Sequence, residues 1–201
     1  MFVYTKKETR GIILIFMVLS LLTFANLQTS IRKSRDAQRR ADINSIFDAL
    51  SKYQNEFGFF PPSSEYGKII ACRSGETTPP SENLTEAEYQ QYFISTLKEC
   101  EWGRDSLRDV EDLSYQPYLT SIPPDPYHNR GIDYYYLSNM HRFQLFAYLE
   151  GGSREDGFRE EVVLRNIKCG NKTCNFGRAF ADENIGKNLE EIETELRDKN
   201  R

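Results

Sequence analysis

Apolar residues are unevenly spread along the chain, and the densest run lies near the N-terminus. Positions 12–27 read IILIFMVLSLLTFANL, with no charged residue and with Ser20, Thr23 and Asn26 as the only polar side chains. As a helix this run spans about 24 Å, slightly less than the hydrocarbon core of a bilayer. It predicts a membrane anchor. A cleaved secretory signal and a buried core helix are the alternatives.

Beyond the apolar run, the pattern changes to one stripe of an amphipathic helix. The stripe consists of Ile43, Ile46, Phe47, Leu50, Tyr53 and Phe57. Gly58 is a typical C-terminal cap, and the prolines at 61–62 prevent the helix from resuming. Because nothing between Gly11 and Gly58 interrupts the pattern, the sequence predicts one helix of about 46 residues, roughly 70 Å long. The first half of this helix is expected to lie in lipid, and the second half is expected to pack on the surface of a folded domain.

The rest of the chain predicts an α+β domain. The expected elements are a loop at 63–83, a helix opened by the capping box of Thr85 and Glu88 and ending near Cys100, a weakly helical or irregular stretch at 107–119, a hairpin of 132–137 and 142–149, a third strand around 160–168, and a C-terminal helix at Leu189, Ile192 and Leu196. The predicted fold class is therefore α+β, with a long N-terminal helix packed on a small antiparallel sheet.

This pattern divides the chain into four segments. They are a basic leader-like segment at 1–11, a transmembrane part of the helix at 12–28, an amphipathic stalk at 29–58 and an extracytoplasmic globular domain at 59–201. A length of 201 residues fits one such domain with an accessory segment. The segments predict a single-pass membrane protein with its N-terminus in the cytoplasm.

Charge and residue usage exclude several functions. A formal net charge of −4 argues against a chain held on nucleic acid by bulk charge, so no nucleic-acid partner is expected. The basic residues of 32–40 are expected to form a solvated collar that faces lipid headgroups. His128 and His141 lie in predicted turns without an activated Ser or Cys motif, so no enzymatic activity is expected.

Four cysteines allow three disulfide connectivities. Cys169 and Cys174 enclose a short segment with Gly and Asn, which can turn tightly enough for a disulfide. That pairing leaves Cys72 with Cys100, so the pairs 72–100 and 169–174 are favoured over crossed pairs and over four reduced thiols. Disulfides would place the domain outside the cytoplasm, whereas the basic residues on both sides of the apolar run leave the orientation open.

Two motifs resemble those of the type IV pilin and type II secretion pseudopilin superfamily. Residues 49–61 carry AL..Y....GFFP at the end of the stalk, and residues 118–136 carry YL..IP.DPY......YYY. The second motif is closest to the G-type, or major, pseudopilin. The resemblance implies a pilin-like structural subunit of a membrane-derived filament. Its expected partners are other pilin or pseudopilin subunits, an inner-membrane assembly platform and membrane lipid.

The resemblance also implies cleavage by a prepilin peptidase between Gly11 and Ile12. The family usually has Phe after the Gly and Glu at the fifth mature position, where this chain has Ile12 and Phe16. That Glu neutralises the N-terminal amine of a neighbouring subunit. Its replacement favours a minor or tip subunit, or else a membrane-anchored extracytoplasmic binding domain that does not polymerise. A membrane-anchored hydrolase is a more distant alternative.

Acidic residues cluster on a glycine-containing segment at 150–161. Carboxylates on such a loop can present oxygens to calcium, and G-type pseudopilins hold calcium in the loop after the corresponding strand. Calcium is therefore the one cofactor that the sequence suggests, with Ser153 and Asp156 as the expected contributors. The alternative is a solvated charged loop.

Overall fold

The computed structural model describes residues 5–75 and 84–199. In that part of the chain the α-helices are α1 (Lys6–Phe57), α2 (Glu86–Ser95), α3 (Glu160–Leu164) and α4 (Leu189–Lys199), and short 3₁₀ turns lie at His128–Arg130, Gly152–Arg154 and Phe180–Asp182. The strands are β1 (Ile70–Arg73), β2 (Leu97–Glu99), β3 (Tyr135–Ser138), β4 (Phe143–Ala147), β5 (Lys168–Cys169), β6 (Lys172–Thr173) and β7 (Phe176–Ala179). The predicted α+β class is confirmed: one long N-terminal helix packs on small antiparallel sheets, an arrangement consistent with a pilin-like fold.

Helix α1 is continuous over 52 residues, about 78 Å. It begins earlier than the sequence pattern indicated, because Thr5 and Glu8 form a capping box that satisfies the first free N–H groups. It ends where expected: Gly58 adopts the left-handed conformation, with φ of 78°, and its N–H donates to the Gln54 carbonyl over 2.8 Å.

The apolar half of α1 lies outside the folded domain. Between Ile12 and Leu27 the large apolar side chains are 39–66% exposed. Within the described residues, α1 is the one helix that is long and apolar enough to cross a membrane. Since core helices bury their apolar side chains, this exposure argues against a buried core helix and leaves a membrane span or a signal anchor.

The second half of α1 forms the main core with a three-stranded antiparallel sheet of order β3-β4-β7. Ile46, Leu50 and Tyr53 on α1 are fully buried in the same hydrophobic cluster as Phe143 and Leu145 of β4. The expected stripe is therefore the core face of the helix. The β3–β4 hairpin lies where the sequence placed it, with Tyr136 opposite Leu145.

A second, two-stranded sheet is closed by the disulfide Cys72–Cys100. It corrects two expectations. The expected loop at 63–83 contains strand β1, although 76–83 lies outside the described residues. Helix α2 begins at the expected capping box but ends at Ser95, and the next residues form β2 because they pair with β1.

The third strand of the main sheet is β7, so the prediction of a third strand around 160–168 was wrong. Residues of that segment form the short helix α3, which buries Val162 fully and leaves Leu164 80% exposed. The edge of β4 that such a strand would need is occupied by β7. The second disulfide, Cys169–Cys174, closes the β5–β6 hairpin, so both pairs are those that the spacing favours.

Two remaining segments complete the domain. The stretch at 107–119 is irregular, and reciprocal backbone hydrogen bonds of 2.9 and 3.1 Å between Leu107 and Leu119 tie its ends together. The expected C-terminal helix is present as α4, with Leu189 and Ile192 buried.

Candidate functional site

Buried charges join α1 to the domain just beyond the apolar run. We call this group the junction network: Arg35, Asp36, Arg39, Asp125 and Glu150. Arg39 is fully buried, and its Nε and Nη2 donate to the two carboxylate oxygens of Asp125 over 2.7 and 3.1 Å. Its Nη1 donates to Asp36 and to Glu150, each over 2.8 Å. One guanidinium thus binds three carboxylates from three separate segments.

The carboxylates of the network also shape the backbone around them. Asp36 accepts the N–H groups of Glu150 and Gly151 over 2.8 and 2.9 Å, which fixes the turn after β4. Asp125, which lies between Pro124 and Pro126, accepts the N–H of Tyr127 over 2.7 Å, and this bond fixes the turn that begins at Asp125. Because each acid bonds both to arginine and to backbone, the network holds two domain loops on one side of the helix.

Arg35 extends the network toward solvent. It forms a two-point ion pair with Glu150, at 2.7 and 2.6 Å, and its guanidinium lies 4.5 Å from the centre of the Tyr127 ring. Burial raises the pKa of Glu150, but the hydrogen bonds from Arg35 and Arg39 outweigh burial, so its pKa lies below the ordinary value. The carboxylate therefore stays ionised in the folded protein at neutral pH.

A neighbouring carboxylate behaves in the opposite way. Burial raises the pKa of Asp42, although a 2.7 Å hydrogen bond from the Tyr134 hydroxyl partly offsets that effect. Burial also raises the pKa of Tyr134, and its bond to Asp42 adds to the shift. This pair ties α1 to the start of the hairpin a turn beyond Arg39, and it adds a fourth carboxylate to the three of the junction network at this helix–domain contact.

The network corrects the expected collar for two of its basic residues: Arg39 is buried and Arg35 half-buried, whereas Lys33 is exposed. The reason is visible in the helix period: Asp36 and Arg39 precede Ile43 and Ile46 at steps of three and four residues, so they lie on the buried stripe. The spacing of Asp36 and Arg39 was the one signal in the sequence that these two side chains are buried. The partners could not be inferred, since Asp125 lies 86 residues from Arg39 in sequence.

The expected cleavage site is accessible but helical. Gly11 and Ile12 both lie inside α1, and Ile12 is 39% exposed. A peptidase would have to unwind this turn to reach the bond, because proteases bind extended chain. Cleavage between Gly11 and Ile12 stays a prediction.

The two residues expected to bind calcium lie on the domain surface. Ser153 and Asp156 are both exposed, and Glu155 lies 3.7 Å from both Arg32 and Arg40 of α1. Across residues 5–75 and 84–199, no three His, Cys, Asp or Glu side chains form a group that could hold a metal ion. The carboxylates nearest α1 instead balance its arginines.

The two histidines lie apart from the junction network. His128 bonds to Asp133 at the rim of a surface cavity of about 670 Å³ that also contains Trp102. Within the described part of the chain, this cavity has no Ser, Thr or Cys in its lining, so it offers no side-chain nucleophile of those types. His141 is exposed in the β3–β4 turn.

The junction network therefore holds a folded domain on a helix that continues into an apolar segment. Comparison with protein-family models, with curated proteins and with solved structures finds no match to this chain.

Proposed function

We propose that this chain is a pilin-like structural subunit of a membrane-derived filament, of the kind found in type II secretion or type IV pilus systems. One observation carries the proposal: a single helix is exposed and apolar over its first half and forms the core of a disulfide-containing domain over its second half. Such an exposed half can lie in a bilayer as a stored subunit, or against the same segment of other copies in a filament.

The proposed topology has the N-terminus in the cytoplasm and the domain on the other side of the membrane. The two disulfides support it, since they persist in oxidising compartments. The test uses Thr9→Cys and Ser153→Cys, two exposed positions on opposite sides of the apolar run. In spheroplasts of a strain that lacks prepilin peptidase, so that residues 1–11 stay on the chain, a membrane-impermeant maleimide should label Ser153→Cys and not Thr9→Cys. The reverse result would disprove this topology.

Filament assembly predicts contacts between the apolar segments of different copies. A photo-crosslinking amino acid at Leu19, which is 53% exposed, should give a ladder of multimers in cells that have a pilin assembly platform. The same variant should give monomers and lipid adducts in cells without the platform. Monomers in both strains would contradict the filament and favour a subunit that stays anchored.

The second candidate function is a membrane-anchored extracytoplasmic binding domain that does not polymerise. Two observations favour it: Phe16 stands where the family has Glu, and a cavity of about 670 Å³ opens on the domain surface. Phe16→Glu separates the two. In a filament subunit it should increase crosslinking into multimers, because it supplies the charge that pairs with a neighbouring amine. In an anchored binding domain it should only weaken membrane insertion.

A further inference from the structure

A cleft of about 390 Å³ lies between α1 and the base of the domain, and we call it the basal cleft. Its basic residues are Arg32, Arg130 and Lys172, and Tyr127 and Tyr148 form part of its wall. Arg32 lies five residues beyond Leu27, the last residue of the apolar run. That is about 7 Å along the helix. If the apolar run spans the membrane, the cleft lies at the depth of the lipid headgroups.

Two cations of the basal cleft have no acidic partner in the part of the chain that the structure describes. The Arg130 guanidinium lies 4.2 Å from the centre of the Tyr127 ring, and the Lys172 ammonium lies 5.9 Å from that of Tyr148. Among the described residues, neither has a carboxylate within ion-pair distance. Exposed basic side chains on aromatic rings keep their charge available to an anion.

The remaining charged residues of the cleft add to this excess of positive charge. Arg32 contributes a third cation; its Nη2 lies 3.7 Å from Glu155, and its buried Nε has no hydrogen-bond partner within the described structure. Glu150, the one carboxylate among the described residues of the wall, already binds Arg35 and Arg39. The cleft therefore favours an anion with several acceptor oxygens.

The cleft is built by specific backbone contacts. The Asn171 N–H donates to the Gly131 carbonyl and its side-chain amide donates to the Arg130 carbonyl, both over 2.8 Å. The β5–β6 hairpin approaches so closely that a Cβ at Gly170 would lie 2.1 Å from the Gly131 oxygen. With the Cys169–Cys174 disulfide closing the hairpin, these contacts hold Lys172 beside Arg130.

We propose that the basal cleft binds the phosphate of an anionic phospholipid headgroup in the leaflet from which α1 emerges. This inference rests on the membrane anchoring of the proposed function. Three features of the basal cleft favour lipid over a soluble anion: its position at headgroup depth, its three cations and its two tyrosines. Tyrosine is enriched at membrane interfaces. The contact would hold the domain against the bilayer before assembly, so a subunit would have to release this lipid as it leaves the membrane.

The test places the full chain in phosphatidylcholine nanodiscs with and without phosphatidylglycerol. Phosphatidylglycerol should raise the Tm of the wild-type domain by about 2–4 °C for each basic contact. It should also leave phosphatidylglycerol adducts in native mass spectra. Arg130→Gln/Lys172→Gln should lose about two thirds of the Tm increase and most of the adducts, without a lower Tm in phosphatidylcholine alone.

A matched control changes two exposed cations at the other end of the domain, Arg73 on β1 and Lys98 on β2. Their sheet lies near the Phe57 end of α1, where Phe93 of α2 stacks on Phe57 at 5.1 Å. That is about 37 Å along the helix from Arg32. Arg73→Gln/Lys98→Gln should keep the full response to phosphatidylglycerol.

Three outcomes separate the proposals. Equal responses of the two double variants, or no response of the wild type, would overturn the lipid site. A wild-type response to inorganic phosphate that matches the response to phosphatidylglycerol would replace the lipid by a free anion. Failure of the wild-type chain to insert into any nanodisc would instead overturn the membrane anchoring. Filament formation is judged separately, by the Leu19 crosslinks.

Discussion

Arg39 on α1 and Asp125 in the segment between two prolines form a two-point ion pair in which neither side chain touches solvent. The proline on each side restricts the backbone around Asp125, and Asp36 supplies a second carboxylate to the same guanidinium over 2.8 Å. The pair therefore joins the stalk to a loop of the domain at one fixed point.

Removing the guanidinium should destabilise the domain strongly. Arg39→Met leaves the carboxylates of Asp36 and Asp125 buried and uncompensated, which should lower the free energy of unfolding by about 3–5 kcal/mol. Arg39→Lys keeps the charge but not the two-point geometry, so its loss should be intermediate. Denaturant titrations of the full chain in detergent, followed by near-UV circular dichroism, measure both.

Arg154→Met is the matched control, since Arg154 is exposed in the turn after β4. It should change the free energy of unfolding by no more than about 0.5 kcal/mol. If Arg39→Met were as mild as this control, the junction network would not hold the domain on the helix.

The stalk core offers a second paired comparison. Leu50 is fully buried against the sheet, so Leu50→Ala should lower the free energy of unfolding by about 2–5 kcal/mol. Leu164→Ala makes the same chemical change at a side chain that is 80% exposed, and should cost less than about 0.5 kcal/mol. Equal losses in the same titration would mean that α1 does not form the core.

Acid should weaken the domain through Glu150. Its pKa is lowered in the folded protein, so its contribution to stability is present above the unfolded value, near 4.5, and is lost as the pH falls through the folded value. Glu150→Gln should therefore flatten the decline of Tm below about pH 4.5. A decline as steep as that of the wild type would show that Arg35 and Arg39 do not bias this carboxylate.

Ionisation of Asp42 should have the opposite effect on the stability of the domain. Its pKa is raised from 3.8, so its ionisation weakens the folded state as the pH rises and the penalty is absent in acid. Asp42→Asn should thus make the acid decline steeper, while Glu150→Gln makes it shallower. Tm values measured across the same pH series compare the two variants directly. If both variants changed the slope of Tm against pH in the same direction, the opposite pKa shifts assigned to Asp42 and Glu150 would be contradicted.

The disulfides should differ in their effect on stability. The Cys72–Cys100 bond spans 28 residues and the Cys169–Cys174 bond spans five. In the loop-entropy account, replacing the first pair by Ala should cost about 3–4 kcal/mol and replacing the second about 2 kcal/mol. Non-reducing peptide mapping checks the pairing itself, and a peptide that links Cys72 to Cys169 would refute it.

Features set by local chemistry could be predicted from the sequence. The end of α1 at Gly58, the capping box at Thr85 and the β3–β4 hairpin each depend on residues a few positions apart. The α2 boundary was missed because Leu97 leaves the helix to pair with Arg73, a contact between distant segments. The segment after Glu160 was missed because a short apolar run fits a strand or a buried helical turn equally well.

The junction network was missed for a different reason. Basic residues beyond an apolar run usually face headgroups, and only the i, i+3 spacing of Asp36 and Arg39 on the core stripe indicated otherwise. The carboxylates that make burial tolerable, Asp125 and Glu150, come from loops that meet α1 only in the folded domain. Their approach depends on the tertiary fold, which the helix period does not encode.

The uninterrupted backbone of α1 makes it a lever. Its apolar half and its stalk share one axis, and Arg39 clamps the domain to that axis. A tilt of about 20°, which is ordinary for membrane helices, would move Phe57 sideways by about 15 Å relative to Leu27. If the apolar half lies in a bilayer as proposed, any change in bilayer thickness or helix packing that alters its tilt would therefore swing the whole domain through an arc, with the membrane surface as the fulcrum.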